Sequence, residues 1–149
     1  AVLFNDEEGI DSIVVEKYGL QDFTKKAAFN VQSRCFECYR DRIFKTAETA
    51  AKKGFDCFTT TLLYSRFQNH DMIVSFCEEA AEDYDVMFHY EDYREGWQEG
   101  IDESKEREMY RQNYCGCIYS EEDRFLKQLS NKFKKRLSNL LEKDGVDLQ

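Results

Sequence analysis

The residues of this chain best suited to chemistry are two short cysteine pairs. In "RCFEC", Cys35 and Cys38 stand at C-x-x-C spacing at the start of a helical pattern. There, free amide N–H groups and the neighbouring Arg34, Arg40 and Arg42 favour thiolate over thiol. In "YCGC", Cys115 and Cys117 flank Gly116, and a residue without a side chain lets the backbone curl so that both sulfurs face one guest. Four thiolates in two clusters are the ligand set of a structural zinc ion or of an iron–sulfur cluster. The C-x-x-C pair alone also suits thiol redox work, so the residues by themselves leave all three chemistries open.

The remaining polar candidates carry less. Cys57 falls in an expected strand and Cys77 beside Phe76 on an expected helix, places where free cysteine behaves as a small core hydrophobe. His70 and His89 are single and separated, which suits structural roles better than metal binding. "TTTLLYS" sets Thr59, Thr60 and Thr61 at the end of a strand. Parallel α/β sheets bind ligands at such ends, although a threonine run also follows from β propensity alone.

These groups need elements to hold them. "DSIVVEKYG" has a β-branched centre and predicts a short strand, followed by a helix near Gln21 to Asn30. From Phe36, the apolar positions Phe36, Tyr39, Ile43, Phe44, Ala47 and Ala50 recur at helical spacing, with Gly54 where a C-terminal cap belongs. "FDCFTTTLL" predicts a strand, "NHDMIVSFCEEAAEDY" an amphipathic helix and "DVMFHY" another strand. Strand, helix, strand at this rhythm predicts an α/β fold: a small Rossmann-like parallel sheet of three or four strands with flanking helices. After Tyr93, the acidic "REGWQEGIDESKE" predicts a loop running into a helix around Ser104 to Gln112. A C-terminal amphipathic helix over 121–144 follows, with Ser120 as its N-cap. Its apolar stripe is Phe125, Leu126, Leu129, Phe133, Leu137, Leu140 and Leu141, with lysines and Arg136 opposite.

The bulk properties bound what these elements can build. At 149 residues the chain reads as one domain, 1–149, and 42% hydrophobic with 34% charged residues reads as a soluble globular unit. No apolar run is long enough to cross a membrane, and "AVLFNDEEGI" carries no secretory signal, so the expected compartment is cytoplasmic. Outside an export route, clustered cysteines among the six are read as metal-binding or catalytic rather than disulfide-forming. A net charge of −9 argues against a protein whose whole surface binds nucleic acid. The charge is polarised, however: residues 78–108 carry thirteen acids against three bases, and 124–143 seven bases against Glu142. The basic helix is therefore a candidate for phosphate contacts to RNA. Proline is absent altogether.

Assembled in order, "RCFECYRDRIFKTAETAAKKGFDCFTTTLLYSRFQNH", "FHYEDYREGW" and "MYRQNYCGCIYS" resemble the cobalamin-independent epoxyqueuosine reductase family, over about residues 30–125. The resemblance implies removal of the epoxide oxygen from epoxyqueuosine in a tRNA anticodon, giving queuosine and water. It implies a [4Fe–4S] cluster with a second iron nearby, an unidentified electron donor and a tRNA substrate. Carried over by motif, Cys35, Cys38, Cys115 and Cys117 correspond to the family's metal-binding cysteines. Thr59, Thr60, Thr61, Ser65, Asp92, Arg94, Tyr114 and Ser120 are then candidates for the pocket wall or the surroundings of the metal. The competing expectation is a zinc-stabilised RNA-binding module that performs no chemistry.

Two departures from the pattern carry expectations of their own. The family opens with a strand and a Cys-Cys-Ala-Pro-type loop that adds ligands, and no cysteine precedes Cys35 here. Residues 1–30 are thus expected to be a divergent or truncated part lacking some of the N-terminal βα unit, which would leave the cluster incomplete and turnover impaired. In "LLYSRFQ", Arg66 stands where the family has proline, which alters the stiffness of that loop.

Overall fold

The computed structural model describes residues 2–16, 19–28 and 34–143, excepting the side chains of 2, 3, 137 and 140–143. The chain divides into two compact units, Ala1–Trp97 and Gln98–Gln149.

In the first unit, α1 (Val2–Glu7) and α2 (Leu20–Ala28) precede α3 (Arg34–Lys53), which opens on the first cysteine pair. α3 stops where the sequence says it should. Gly54 adopts φ +74°, and the following Phe55 N–H reaches back to the Ala50 carbonyl at 3.0 Å, a closure that needs a left-handed residue at this position. Strand β1 (Cys57–Phe58) follows, then a 3-10 turn at Thr61–Tyr64, α4 (His70–Tyr84), β2 (Met87–Phe88) and a second 3-10 turn at Tyr93–Gly96. α4 is capped by the Asn69 side chain, which accepts the Met72 N–H at 3.1 Å, and it ends on Asp85 in the left-handed region.

β1 and β2 pair in parallel, with Cys57 opposite Met87 and Phe58 opposite Phe88. α4 is the crossover between them, so this is a small α/β fold with a parallel sheet and flanking helices, as the rhythm predicts. The core lies where α3 and α4 face each other over the sheet: Ile43, Ala47, Leu63, Ile73, Cys77 and Ala80 are almost completely buried. Edge-to-face ring pairs, Phe36 on Phe76 at 4.8 Å and Phe44 on Tyr84 at 6.3 Å, extend the same seam. Lys26 and Asp41, 2.6 Å apart, tie α2 to α3.

Three expectations are corrected. The described part of "DSIVVEKYG" forms no strand; Ile13, Val14 and Val15 are 60%, 60% and 66% exposed. A β-branched run becomes a strand only where a ladder supplies partners for its backbone, and the sheet among the described residues has two strands. β1 is shorter than "FDCFTTTLL" suggests, because Thr60 Oγ1 accepts the Leu62 N–H and turns the chain into the 3-10 helix, the competition threonine poses to a ladder. Cys57 sits in its strand as expected but faces solvent rather than the core.

α5 runs Trp97–Glu106, starting on the last residue of the first unit and earlier than the helix expected around Ser104 to Gln112. Gly100 inside it weakens the helical signal by about 1 kcal/mol. Local pairs offset that cost: Gln98 and Lys105 both bond the Asp102 carboxylate, at 2.9 and 2.8 Å. The Met109 N–H closes the end on the Ser104 carbonyl at 2.9 Å, and Glu108 takes φ +51°. α6 spans Ile118–Lys143 and starts before Ser120, so that serine lies in the first turn rather than at the cap. Phe125, Leu126, Leu129 and Phe133 of its apolar stripe are exposed. Among the described residues no helix is long and apolar enough to cross a membrane.

Candidate active site

Both parallel strands end at one edge, and the loops leaving them carry Thr59, Thr60, Thr61, Ser65, Asp92 and Arg94. This is the edge at which open α/β sheets receive ligands. Thr59 and Thr61 are exposed, while Thr60 is half-buried and occupied as the cap described above. Ser65 Oγ accepts the Phe67 N–H at 3.3 Å, which shapes the loop after the 3-10 turn.

Across the edge, the Asp92 carboxylate accepts the Arg94 backbone N–H at 3.1 Å and the Arg94 guanidinium at 2.7 Å through Nε, with a second bond from Nη2 to Oδ2. That forked pairing holds the Asp92 carboxyl well below the usual carboxylate range and raises Arg94 in turn. Asp92 is therefore a fixed anion that orders the loop, not a proton donor. Arg66, in the place where the resemblance has proline, donates through Nε and Nη2 to the Arg94 carbonyl at 3.3 and 3.1 Å. It joins the loop after β1 to the loop after β2, so the loop is stiffened by a side chain instead of a ring.

Two residues that sequence reasoning set aside or passed over stand at the same edge. His70 Nε2 lies 3.2 Å from the Tyr90 hydroxyl, and His70 Nδ1 is buried without a hydrogen-bond partner. The pair is separated by 20 residues, so no local pattern announces it. His89 is exposed and stands 3.8 Å from Glu91.

The first cysteine pair lies on the opening turn of α3, Cys35 exposed and Cys38 half-buried. One turn on, the buried Tyr39 hydroxyl accepts the Asn69 N–H at 3.4 Å, linking the cysteine helix to the cap of α4. Burial pushes the Tyr39 phenol up to about 12, opposed by the Asn69 amide and reinforced by the Cys35 and Cys38 sulfurs beside it.

The second pair lies in the loop before α6. Gly116 takes φ +88°, the curl anticipated between the two sulfurs, and a Cβ built there would lie 3.2 Å from Gln112 Nε2. Gln112 itself donates to the Tyr114 carbonyl at 3.0 Å, and the Tyr114 ring meets Phe125 edge-to-face at 6.0 Å. Cys115 is exposed and Cys117 half-buried. The two pairs fall in different units. Among the described residues no group of three or more His, Cys, Asp or Glu is gathered as a metal-ready set. Cys77 is buried, and burial pushes its thiol up to about 12, which makes it inert.

Against known proteins, residues 3–123 match the family model described as epoxyqueuosine reductase QueH. Among curated proteins of that name, the one from Dehalococcoides mccartyi is 36% identical over 119 residues, 80% of this chain and 65% of the relative. That from Thermotoga maritima is 43% identical over 89 residues, 58% of this chain and 46% of the relative. That from Haemophilus influenzae is 40% identical over 93 residues, covering 60% and 38%. The chain thus spans less than two thirds of the length of each of these relatives.

Proposed function

The chain belongs to the epoxyqueuosine reductase QueH family, and from that premise we propose that it works in the reduction of epoxyqueuosine in a tRNA anticodon, with iron held on its paired cysteines. The observation that carries this reading is the family match over residues 3–123, a span that contains both cysteine pairs and both loops at the sheet edge.

The donor set suits iron. Cys35, Cys38, Cys115 and Cys117 are in no disulfide and none is fully buried, and two close thiol pairs match the ligand preference of an iron–sulfur centre. When bound, a [4Fe–4S] cluster with a second iron would supply electrons singly and Lewis acidity. The balance is an epoxide, two electrons from an electron donor and two protons, giving an alkene and water. The chain's own part is to hold and orient: Asp92, Arg94 and Arg66 fix the two loops, and the hydrogen-bonded His70 Nε2 and Tyr90 hydroxyl are the groups at this edge able to keep a proton near a departing oxygen.

Anaerobic purification followed by iron and acid-labile sulfide analysis tests the reading, with conversion of epoxyqueuosine-tRNA measured by nucleoside analysis. A brown protein containing both elements is expected. A colourless protein holding zinc would replace the proposal with a zinc-stabilised RNA-binding module.

A further inference from the structure

Phe67 is 87% exposed, yet it is not loosely placed. Its ring packs edge-to-face on Trp97 at 5.6 Å, and Trp97 lies against Tyr64 at 5.1 Å with the two rings tilted by 36°. The Tyr64 hydroxyl donates to the Trp97 carbonyl at 3.1 Å, closing this three-ring cluster on itself. On the chain side, the Phe67 N–H is held by Ser65 Oγ at 3.3 Å, and the preceding Arg66 is anchored on the Arg94 carbonyl at 3.1 Å. A bulky apolar ring is thus fixed in water, beside an exposed guanidinium that uses only some of its five N–H groups.

We propose that Phe67, backed by Trp97 and Tyr64, is a stacking platform for an unpaired nucleobase of the RNA that carries the modified nucleoside, with Arg66 placed for the adjoining phosphate. The inference rests on the function proposed above and adds a surface to it. Two physical points favour a base as the occupant. One exposed ring on a half-buried pair is far smaller than the roughly 1,000 Å² a stable protein interface needs, but it matches the area of a single base. Anticodon loops offer splayed bases, and aromatic rings with arginine planes are what recognises them. The platform is already rigid, which lowers the entropy lost on binding.

Trp97 is the only tryptophan, so its fluorescence reports on this cluster alone. Titration with an anticodon stem-loop RNA is expected to quench it saturably, with affinity read in parallel from the anisotropy of labelled RNA. Phe67→Ala is expected to weaken binding roughly tenfold and to remove the RNA-dependent quench, Phe67→Tyr to restore both, and the melting temperature and iron content to stay unchanged in each. RNA binding that is equal in the wild type and Phe67→Ala overturns the platform and leaves the reductase reading standing. No RNA binding by the iron-loaded wild type overturns both. Sedimentation showing that Phe67→Ala converts a dimer to monomers, with RNA affinity unchanged, reassigns the ring to a contact between copies and overturns the platform.

Discussion

The Cys115 thiol donates to Ser120 Oγ at 3.0 Å, and Ser120 Oγ donates in turn to the Cys117 carbonyl at 2.9 Å. One hydroxyl therefore folds the Cys-Gly-Cys bend onto the first turn of α6. Ser120→Ala removes both bonds, and a net hydrogen bond is worth about 0.5–1.5 kcal/mol. Alkylation of Cys115 in metal-free protein, followed by mass spectrometry, is expected to run several-fold faster in the variant. An unchanged rate would mean that the thiol is not held in solution.

Gly116→Ala and Gly54→Ala form a matched pair. Both glycines have positive φ, +88° and +74°, but only the Gly116 position crowds a neighbour, Gln112 Nε2 at 3.2 Å. Each substitution is expected to cost about 1–2 kcal/mol from left-handed strain. On the iron-binding role proposed above, the difference is expected in metal retention: Gly116→Ala should lose iron on gel filtration, whereas Gly54→Ala should keep it and show its cost only as a lower melting temperature.

Cys117→Ala is expected to lose iron, and Cys77→Ala to retain it. Cys77 is fully buried, and trimming its sulfur leaves a small cavity costing about 1 kcal/mol, visible in thermal melting alone. Iron retained by Cys117→Ala at the wild-type level would remove that cysteine from the ligand set.

Ile73 on α4 is fully buried against α3. Ile73→Ala is expected to destabilise the first unit by about 2–5 kcal/mol, measured by urea denaturation with Trp97 fluorescence. A cost below about 1 kcal/mol would mean that the seam between α3 and α4 is not the core.

Stability should fall in alkali. Burial raises the Cys77 thiol from 9.0 to about 12 and the Tyr39 phenol from 10.0 to about 12. Both neutral forms are favoured in the folded state, so their contribution is complete below pH 9 and is lost as pH rises towards about 12. Urea midpoints measured upward from pH 9 should decline, and Cys77→Ala and Tyr39→Phe should each flatten the decline.

What was legible in the sequence was local. α3 could be read from its period of apolar residues and its closing Gly54, and α4 from the amphipathic pattern of "NHDMIVSFCEEAAEDY". The failures share one cause: a side-chain bond or a missing strand partner, rather than the propensity of the run, made the decision. Ile13 to Val15 lacked a neighbouring ladder, Thr60 capped a turn with its own hydroxyl, and the bond from Gln98 to Asp102 carried α5 across Gly100. At the sheet edge, the Thr59–Thr61 run could be picked out from the residues, and Ser65, Asp92 and Arg94 from the family resemblance, but not their arrangement. The bond from Arg66 to Arg94 crosses 28 residues and ends on a carbonyl, a partner that no pattern of residue types reveals.

That carbonyl matters when conditions change. Asp92 and Arg94 form a clasp of opposite charges, which loosens in acid as the carboxylate takes a proton and weakens in concentrated salt. The Arg66 bond ends on an amide oxygen that neither titrates nor carries a charge to be screened. The link between the two loops thus rests on a bond that acid and salt leave in place, while the clasp that orders the loop after β2 is the part they release.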